Sequence, residues 1–171
     1  MSKGKIILVD DEENVLNALI RCLRHEGHDL VSFSGPPEAL EYLQDNPADL
    51  IISDHRMPVM TGIEFLIKAR KLYPDMVRVL LTGYADMDVA IRAVNEGKLF
   101  RFLTKPWNDD ELKITVRNAM QVKGLIDRNR ELVSQVREQE GYLNALKARH
   151  PDIDRVRRDR TGAIIIDEDE V

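Results

Sequence analysis

Five short apolar runs, each closing near a polar residue and each followed by helical periodicity, constrain this chain more than any other feature. The runs are Lys5 to Val9, His28 to Phe33, Leu50 to Ser53, Val77 to Leu81 and Phe100 to Leu103. They are of strand length, and most lack the polar alternation of a half-exposed sheet, so they predict strands covered on both faces. Between them the helical pattern runs from about Glu13 to Glu26, ended by Gly27, and from Pro36 and Pro37 through Ala39, Leu40 and Leu43, closing before Pro47. It returns from Ile63 to about Leu72, before Pro74, and from about Asp86 to Glu96, ended by Gly97. A fifth helix opens near Asp109 with Asn108 as its cap. This alternation predicts an α/β fold, a five-stranded doubly wound parallel sheet with helices on both faces. Right-handed crossovers then carry every strand's C-terminal end to one edge.

The polar residues brought to that edge are Asp10, Asp11, Asp54, Thr82 and Lys105. Asp54 belongs to the stretch Leu50-Ile51-Ile52-Ser53-Asp54-His55-Arg56-Met57-Pro58-Val59-Met60-Thr61-Gly62. Pro58 cannot continue a ladder, and Thr61 with Glu64 three residues later fits a capping box, so Asp54 is expected in a strand-to-helix loop. Each residue alone has a plainer use. Asp54 could be turn chemistry, Asp10 with Glu13 a capping box, Thr82 a turn residue before Gly83, and Lys105 a strand-end charge. Taken together, three carboxylates on one edge repel one another unless a cation shares them, and an all-oxygen set favours a hard ion such as Mg²⁺. With a mobile lysine charge and a hydroxyl donor beside them, these are the groups that phosphoryl transfer to an aspartate requires.

In this order and spacing the residues resemble the receiver domain of two-component response regulators, over roughly residues 3 to 122. The matching pieces are Asp10-Asp11, the loop from Asp54 to Gly62, Thr82 closing strand four, Phe102, and Lys105-Pro106 closing strand five. The resemblance implies a flavodoxin-like fold with strand order 2-1-3-4-5. It implies Asp54 as phosphoacceptor for a sensor histidine kinase, and Mg²⁺ held by Asp11 and Asp54, by Asp10 through water, and by the main-chain carbonyl of Arg56. Thr82 and Lys105 would bind the phosphoryl group, Thr82 and Phe102 would act as the switch, and the Lys105-Pro106 bond would be cis. Phe102 could equally be plain core. Gly83 stands where many receivers carry alanine, and Phe102 lacks a tyrosine hydroxyl; neither departure touches phosphorylation itself. A signalling domain rather than an enzyme is expected. A phosphatase of the haloacid-dehalogenase type would need an Asp-x-Asp motif on the first strand, and Asp10-Asp11-Glu12 does not supply one.

Composition narrows the remaining classes. The chain has 171 residues, 43% hydrophobic and 32% charged, and no run of about eighteen apolar residues, so no membrane span is expected. The apolar run after Lys5 is too short for a signal peptide, which points to a cytoplasmic protein. A single cysteine, Cys22, lies on the apolar face formed with Val15, Leu19 and Leu23 and is expected to be buried. A net charge of −5 gives no general attraction to nucleic acid. His25, His28, His55 and His150 have no ligand spacing and are expected on the surface or in loops.

After the receiver-like part, residues 1–122, the helical pattern does not stop. Over residues 123–150 a heptad reading that starts at Val122 puts Val122, Asn129, Val136 and Leu143 at a, and Leu125, Leu132, Gln139 and Leu146 at d. One Asn at a fits a short parallel coiled coil, hence a homodimer through this helix; the alternative is an amphipathic helix lying on its own receiver. Gly124 and Gly141 weaken it. Pro151 ends the pattern, and residues 151–171 suggest a short β-hairpin around Asp159-Arg160-Thr161-Gly162 with an acidic end. The basic residues Arg155, Arg157, Arg158 and Arg160 fit a solvated strand face better than a nucleic-acid site. The output should therefore pass through the helix to an unidentified downstream partner. A second possibility is that the chain is the receiver and linker of a larger regulator, a transcription activator or an HD-type cyclic-dinucleotide phosphodiesterase.

Overall fold

The computed structural model describes residues 3–150. The strands are β1 (Lys5–Val9), β2 (Asp29–Phe33), β3 (Leu50–Asp54), β4 (Val77–Thr82) and β5 (Arg101–Thr104). They pair in parallel in the order β2-β1-β3-β4-β5. The helices are α1 (Glu13–Leu23), α2 (Pro36–Asp45), α3 (Gly62–Leu72), α4 (Met87–Asn95) and α5 (Asp109–Arg149), and a single 3-10 turn, Tyr84–Asp86, precedes α4. The expected flavodoxin-like α/β fold, strand order included, is the observed one.

Alternate residues of each strand feed opposite faces, as the pleat requires. On one face Ile6, Leu8, Leu50, Ile52, Val79 and Leu81 pack against Leu16, Leu19 and Leu23 of α1 and Leu112, Val116 and Ala119 of α5. On the other, Ile7, Val9, Ile51 and Leu80 meet Ala39 and Leu43 of α2, Phe65 and Leu66 of α3, and Ala90 and Ala93 of α4. Cys22 is buried in the first face, as its position on α1 predicted. Because the central strands β1, β3 and β4 are covered on both sides, their ends are the only places where polar side chains can reach solvent.

Several boundaries differ from the sequence reading. Helix α1 stops at Leu23, and Gly27 with φ 80° ends the turn that follows it rather than the helix. Asp54 is the last residue of β3, not a loop residue, because β4 extends to Thr82 and pairs Leu81 with Asp54. The helix expected from Asp86 begins one residue later, after the 3-10 turn. The capping box at α3 is present: the Glu64 N–H donates to Thr61 Oγ1 at 3.3 Å, and the Thr61 N–H donates to Glu64 Oε2 at 2.9 Å. Asn108 caps α5, its Oδ1 accepting from the N–H groups of Asp110 and Glu111 at 2.9 and 3.1 Å.

The chain divides into two compact units at the Asp127/Arg128 boundary. From Arg128 to His150 every residue of the second unit is exposed except Leu146, which is half-buried. Leu125, the last apolar d position of the first unit, is exposed as well. The predicted hairpin lies outside the described residues. Among the described residues no helix is long and apolar enough to cross a membrane.

Candidate functional site: an acidic pocket at the strand ends

Asp10 follows β1 and is fully buried. Its carboxylate turns back onto its own loop, Oδ1 accepting from the Glu12 N–H at 3.0 Å. It does not form a capping box with Glu13: the N-cap of α1 is Glu12, with no side-chain cap. Asp54 closes β3 and is nearly as buried, at 6% exposure. Asp11 is exposed, and the three carboxylates can bring one oxygen each within 4.8 Å of one another.

Lys105, just after β5, is the cation that balances them. Its Nζ lies 2.6 Å from Asp54 Oδ1 and 2.7 Å from Asp10 Oδ2, with Glu12 Oε1 at 4.0 Å. Burial pushes the Asp10 carboxyl above the ordinary range and outweighs the lowering by Lys105 and by the Glu12 N–H. Burial also opposes the charge on Lys105, but the hydrogen bonds and charges of Asp10 and Asp54 together hold its pKa above that of a free lysine. Two buried carboxylates thus depend on one ammonium, and an exposed third opens the cluster to solvent. An all-oxygen, net negative pocket with a solvent-facing member has the donor chemistry of a Mg²⁺ site.

The other expected residues stand around this centre in different ways. Thr82 closes β4, fully buried, and its hydroxyl donates to the Gly83 carbonyl at 3.3 Å. Phe102 is half-buried against the core beneath α4, in company with Val94 and Leu99. The Lys105-Pro106 bond is cis. The Arg56 side chain pairs with Asp86. Gly62 is where the loop after β3 closes back on the strand: its N–H donates to the His55 carbonyl at 2.8 Å, and a Cβ there would stand 1.9 Å from the Asp54 carbonyl oxygen.

His55 lies in this loop, as expected, yet it is buried there, at 9% exposure, with Nδ1 lacking a protein partner. Its neighbours are set by tertiary packing that spacing along the chain does not reveal. The sequence reading also missed the side-chain ion pair of Arg56 with Asp86, 30 residues apart. Only the sign of the two charges was visible.

A doubly wound parallel sheet whose C-terminal edge gathers three carboxylates and a lysine defines a class of α/β protein with its chemistry at the strand ends. Comparison with known proteins narrows the class. The response regulator receiver domain matches residues 6–117. The hydrogenase transcriptional regulatory protein HoxA of Cupriavidus necator is 38% identical over 123 residues, 72% of this chain and 25% of HoxA. Among solved structures, one titled as adenylate cyclase from Rhodopirellula baltica superposes with a TM-score of 0.74 at 36% identity, covering 78% of this chain and 98% of that one. The signal receiver domain of an HD domain-containing protein from Pseudomonas fluorescens gives 0.70 at 34% identity, covering 76% and 95%. This chain belongs to the response regulator receiver domain family, a family of signalling domains rather than of metabolic catalysts. It spans about a quarter of the length of the curated relatives it matches.

Proposed function

We propose that Asp54 accepts a phosphoryl group from a sensor histidine kinase and that the resulting acyl phosphate is the signal this protein carries in the cytoplasm. The observation that carries the reading is Lys105 Nζ, 2.6 Å from Asp54 Oδ1 and 2.7 Å from Asp10 Oδ2, in a pocket with a third carboxylate. Asp54 attacks phosphorus in line as the nitrogen–phosphorus bond of the donor imidazole breaks, and the electron pair leaves with the imidazole. Lys105 moves its ammonium from the carboxylates toward the new phosphoryl oxygens, and the Thr82 hydroxyl exchanges the Gly83 carbonyl for one of them. Asp10, Asp11, Asp54 and the main-chain carbonyl of Arg56 would hold Mg²⁺, which neutralises charge on the transferring group. Phe102 then changes its packing against α4, and the two packings of this edge form the switch.

The heptad positions of α5 supply the route outward. Leu125, Leu132, Val136 and Leu143 are all more than half exposed along one helix, which supports a homodimer formed through it. A second reading, in which the same receiver serves a longer transcription regulator, is supported by the relatives' names and by the quarter of their length that this chain spans. In neither reading does the chain itself contact nucleic acid.

Labelling with a small phosphodonor in Mg²⁺ tests the central claim. The wild type should take up one phosphoryl group that chelation prevents, and Asp54→Asn should take up none. Stoichiometric labelling of the Asn variant would remove Asp54 from the chemistry.

A further inference from the structure

Arg56 stands two residues after Asp54, and Asp86 four residues after Thr82, so their ion pair ties together the two loops that leave the central strands of the site. The pair is a fork: Arg56 Nε donates to Asp86 Oδ2 at 2.5 Å and Nη2 donates to Asp86 Oδ1 at 3.0 Å. Two details make it unusual for a surface pair. Asp86 occupies the N-cap position of α4, yet its side chain caps nothing, and its backbone (φ −111°, ψ 13°) is not in the extended form a cap uses. An aspartate with that role open to it is instead committed to the arginine. The guanidinium in turn is 71% exposed, and it is held above the ordinary arginine range first by Asp86 and then by the charge of Asp54.

We propose that Arg56 and Asp86 form a latch with two settings, opened by an anion on Asp54. This rests on the reading of Asp54 as phosphoacceptor. In the closed setting Arg56 holds Asp86 and the helix N-terminus goes uncapped. Phosphorylation turns a monoanion into a dianion in a pocket that is already net negative; Lys105 is already shared between two carboxylates, and the further cation whose charge interacts with Asp54 is Arg56, two residues on. Its planar fork fits phosphoryl oxygens as well as it fits a carboxylate. When Arg56 turns to the phosphoryl group, the Asp86 carboxylate is released to accept from N–H groups in the first turn of α4. The exposed face of α4, with Val89 and Ile91, then reports the state of Asp54. Arg56 is thus a positioning residue that trades one anion for another, and Asp86 is its competitor.

The test is a titration of the full chain with beryllofluoride in Mg²⁺, followed by fluorescence of Trp107, the single tryptophan, two residues from Lys105. In D86N the arginine has no rival, so the analogue should bind about five-fold or more tighter, while R56A should bind weaker by a similar factor. Hydrogen exchange supplies a second readout. Amides of residues 87–90 should gain protection in wild type only with the analogue, and in R56A without it, because Asp86 is already free. Affinities within two-fold of wild type, or both variants shifted in the same direction, would overturn the latch. D54N separates the two claims. If the wild type binds, D54N does not, and the latch variants behave as wild type, then the latch alone falls. Failure of the wild type to bind removes both.

Discussion

Replacing Lys105 by Met keeps most of the aliphatic stem and deletes the ammonium that two buried carboxylates share. Lys105 Nζ sits 2.6 and 2.7 Å from Asp54 and Asp10, with only 20% of the lysine side chain exposed. Removing one partner of a buried pair costs about 3–5 kcal/mol, and the partial exposure of Lys105 puts the expected loss near the low end, about 3 kcal/mol at neutral pH. The loss should depend on pH. The Asp10 carboxyl already titrates above its ordinary range because of burial, and without the lysine it shifts further up. A carboxyl raised in the folded state contributes stability that is present at low pH and lost as pH rises through its folded pKa. The variant's deficit should therefore shrink between pH 8 and pH 5, where a proton takes the place of the ammonium. Mg²⁺ should compensate in the same way, because the cluster gains a cation only when folded. At ten times the dissociation constant the gain is about 1.4 kcal/mol, and it should be larger in the variant than in wild type. Urea unfolding at pH 5, 7 and 8, with and without Mg²⁺, measures all of this. A deficit below about 1 kcal/mol, or one indifferent to both pH and Mg²⁺, would refute the view of Lys105 as the charge that holds the pocket together.

Three further outcomes follow from local geometry. Val59 has φ 75° and is 84% exposed, a β-branched residue in the left-handed region with nothing to pack against. Val59→Gly should stabilise by about 0.5–1 kcal/mol, since relief of about 1–2 kcal/mol is partly offset by glycine's extra freedom when unfolded; the urea midpoint reads it. Gly62→Ala should destabilise by about 3 kcal/mol and slow phosphorylation, because the new Cβ presses on the Asp54 carbonyl at 1.9 Å. Leu132→Asp, on the exposed stripe of α5, should convert a particle of twice the chain mass into a monomer by light scattering while leaving beryllofluoride binding unchanged; a wild-type monomer would discard the homodimer.

The sheet was legible because its signal is local. Ile6 to Val9, Leu50 to Ile52 and Val79 to Leu81 are apolar on both faces, and their spacing by helical segments leaves the doubly wound arrangement as the simplest way to cover them. The gathering of Asp10, Asp54 and Lys105 was legible for the same reason, as a consequence of parallel strands ending on one edge. What escaped was whatever depended on packing between loops. Pro58 close behind Asp54 marks a loop in the sequence, yet pairing with Leu81 keeps Asp54 in the ladder. Gly27 marks a helix end by its composition, but α1 had already stopped at Leu23. Val59 carries no sequence mark of positive φ, since the usual marks are glycine and asparagine. The burial of His55 and the pairing of Arg56 with Asp86 are meetings of separate loops, which no periodicity encodes.

The strand order explains why the site is built from these residue types. Lys105 follows an edge strand, with β4 between it and β3 and two strands between it and β1, about 10 and 14 Å away at ordinary strand spacing. A short side chain could not reach both acids across that gap. The lysine and the acid meet from backbones held by ladder bonds that continue past the strand ends: the Lys105 N–H donates to the Thr82 carbonyl at 2.8 Å, and the Asp10 N–H donates to the Phe33 carbonyl at 3.2 Å. The residue the lysine must pass is Thr82, at the end of the intervening strand, so that position has to be small, and a hydroxyl there adds a donor without blocking the path. A cation that reaches across four strands, from β5 to β1, ties together the charges at their ends. On the proposed reading of Asp54 as phosphoacceptor, a change of charge there would alter the pull on the loops after β1, β3 and β5 together, with the half-buried Phe102 three residues before Lys105.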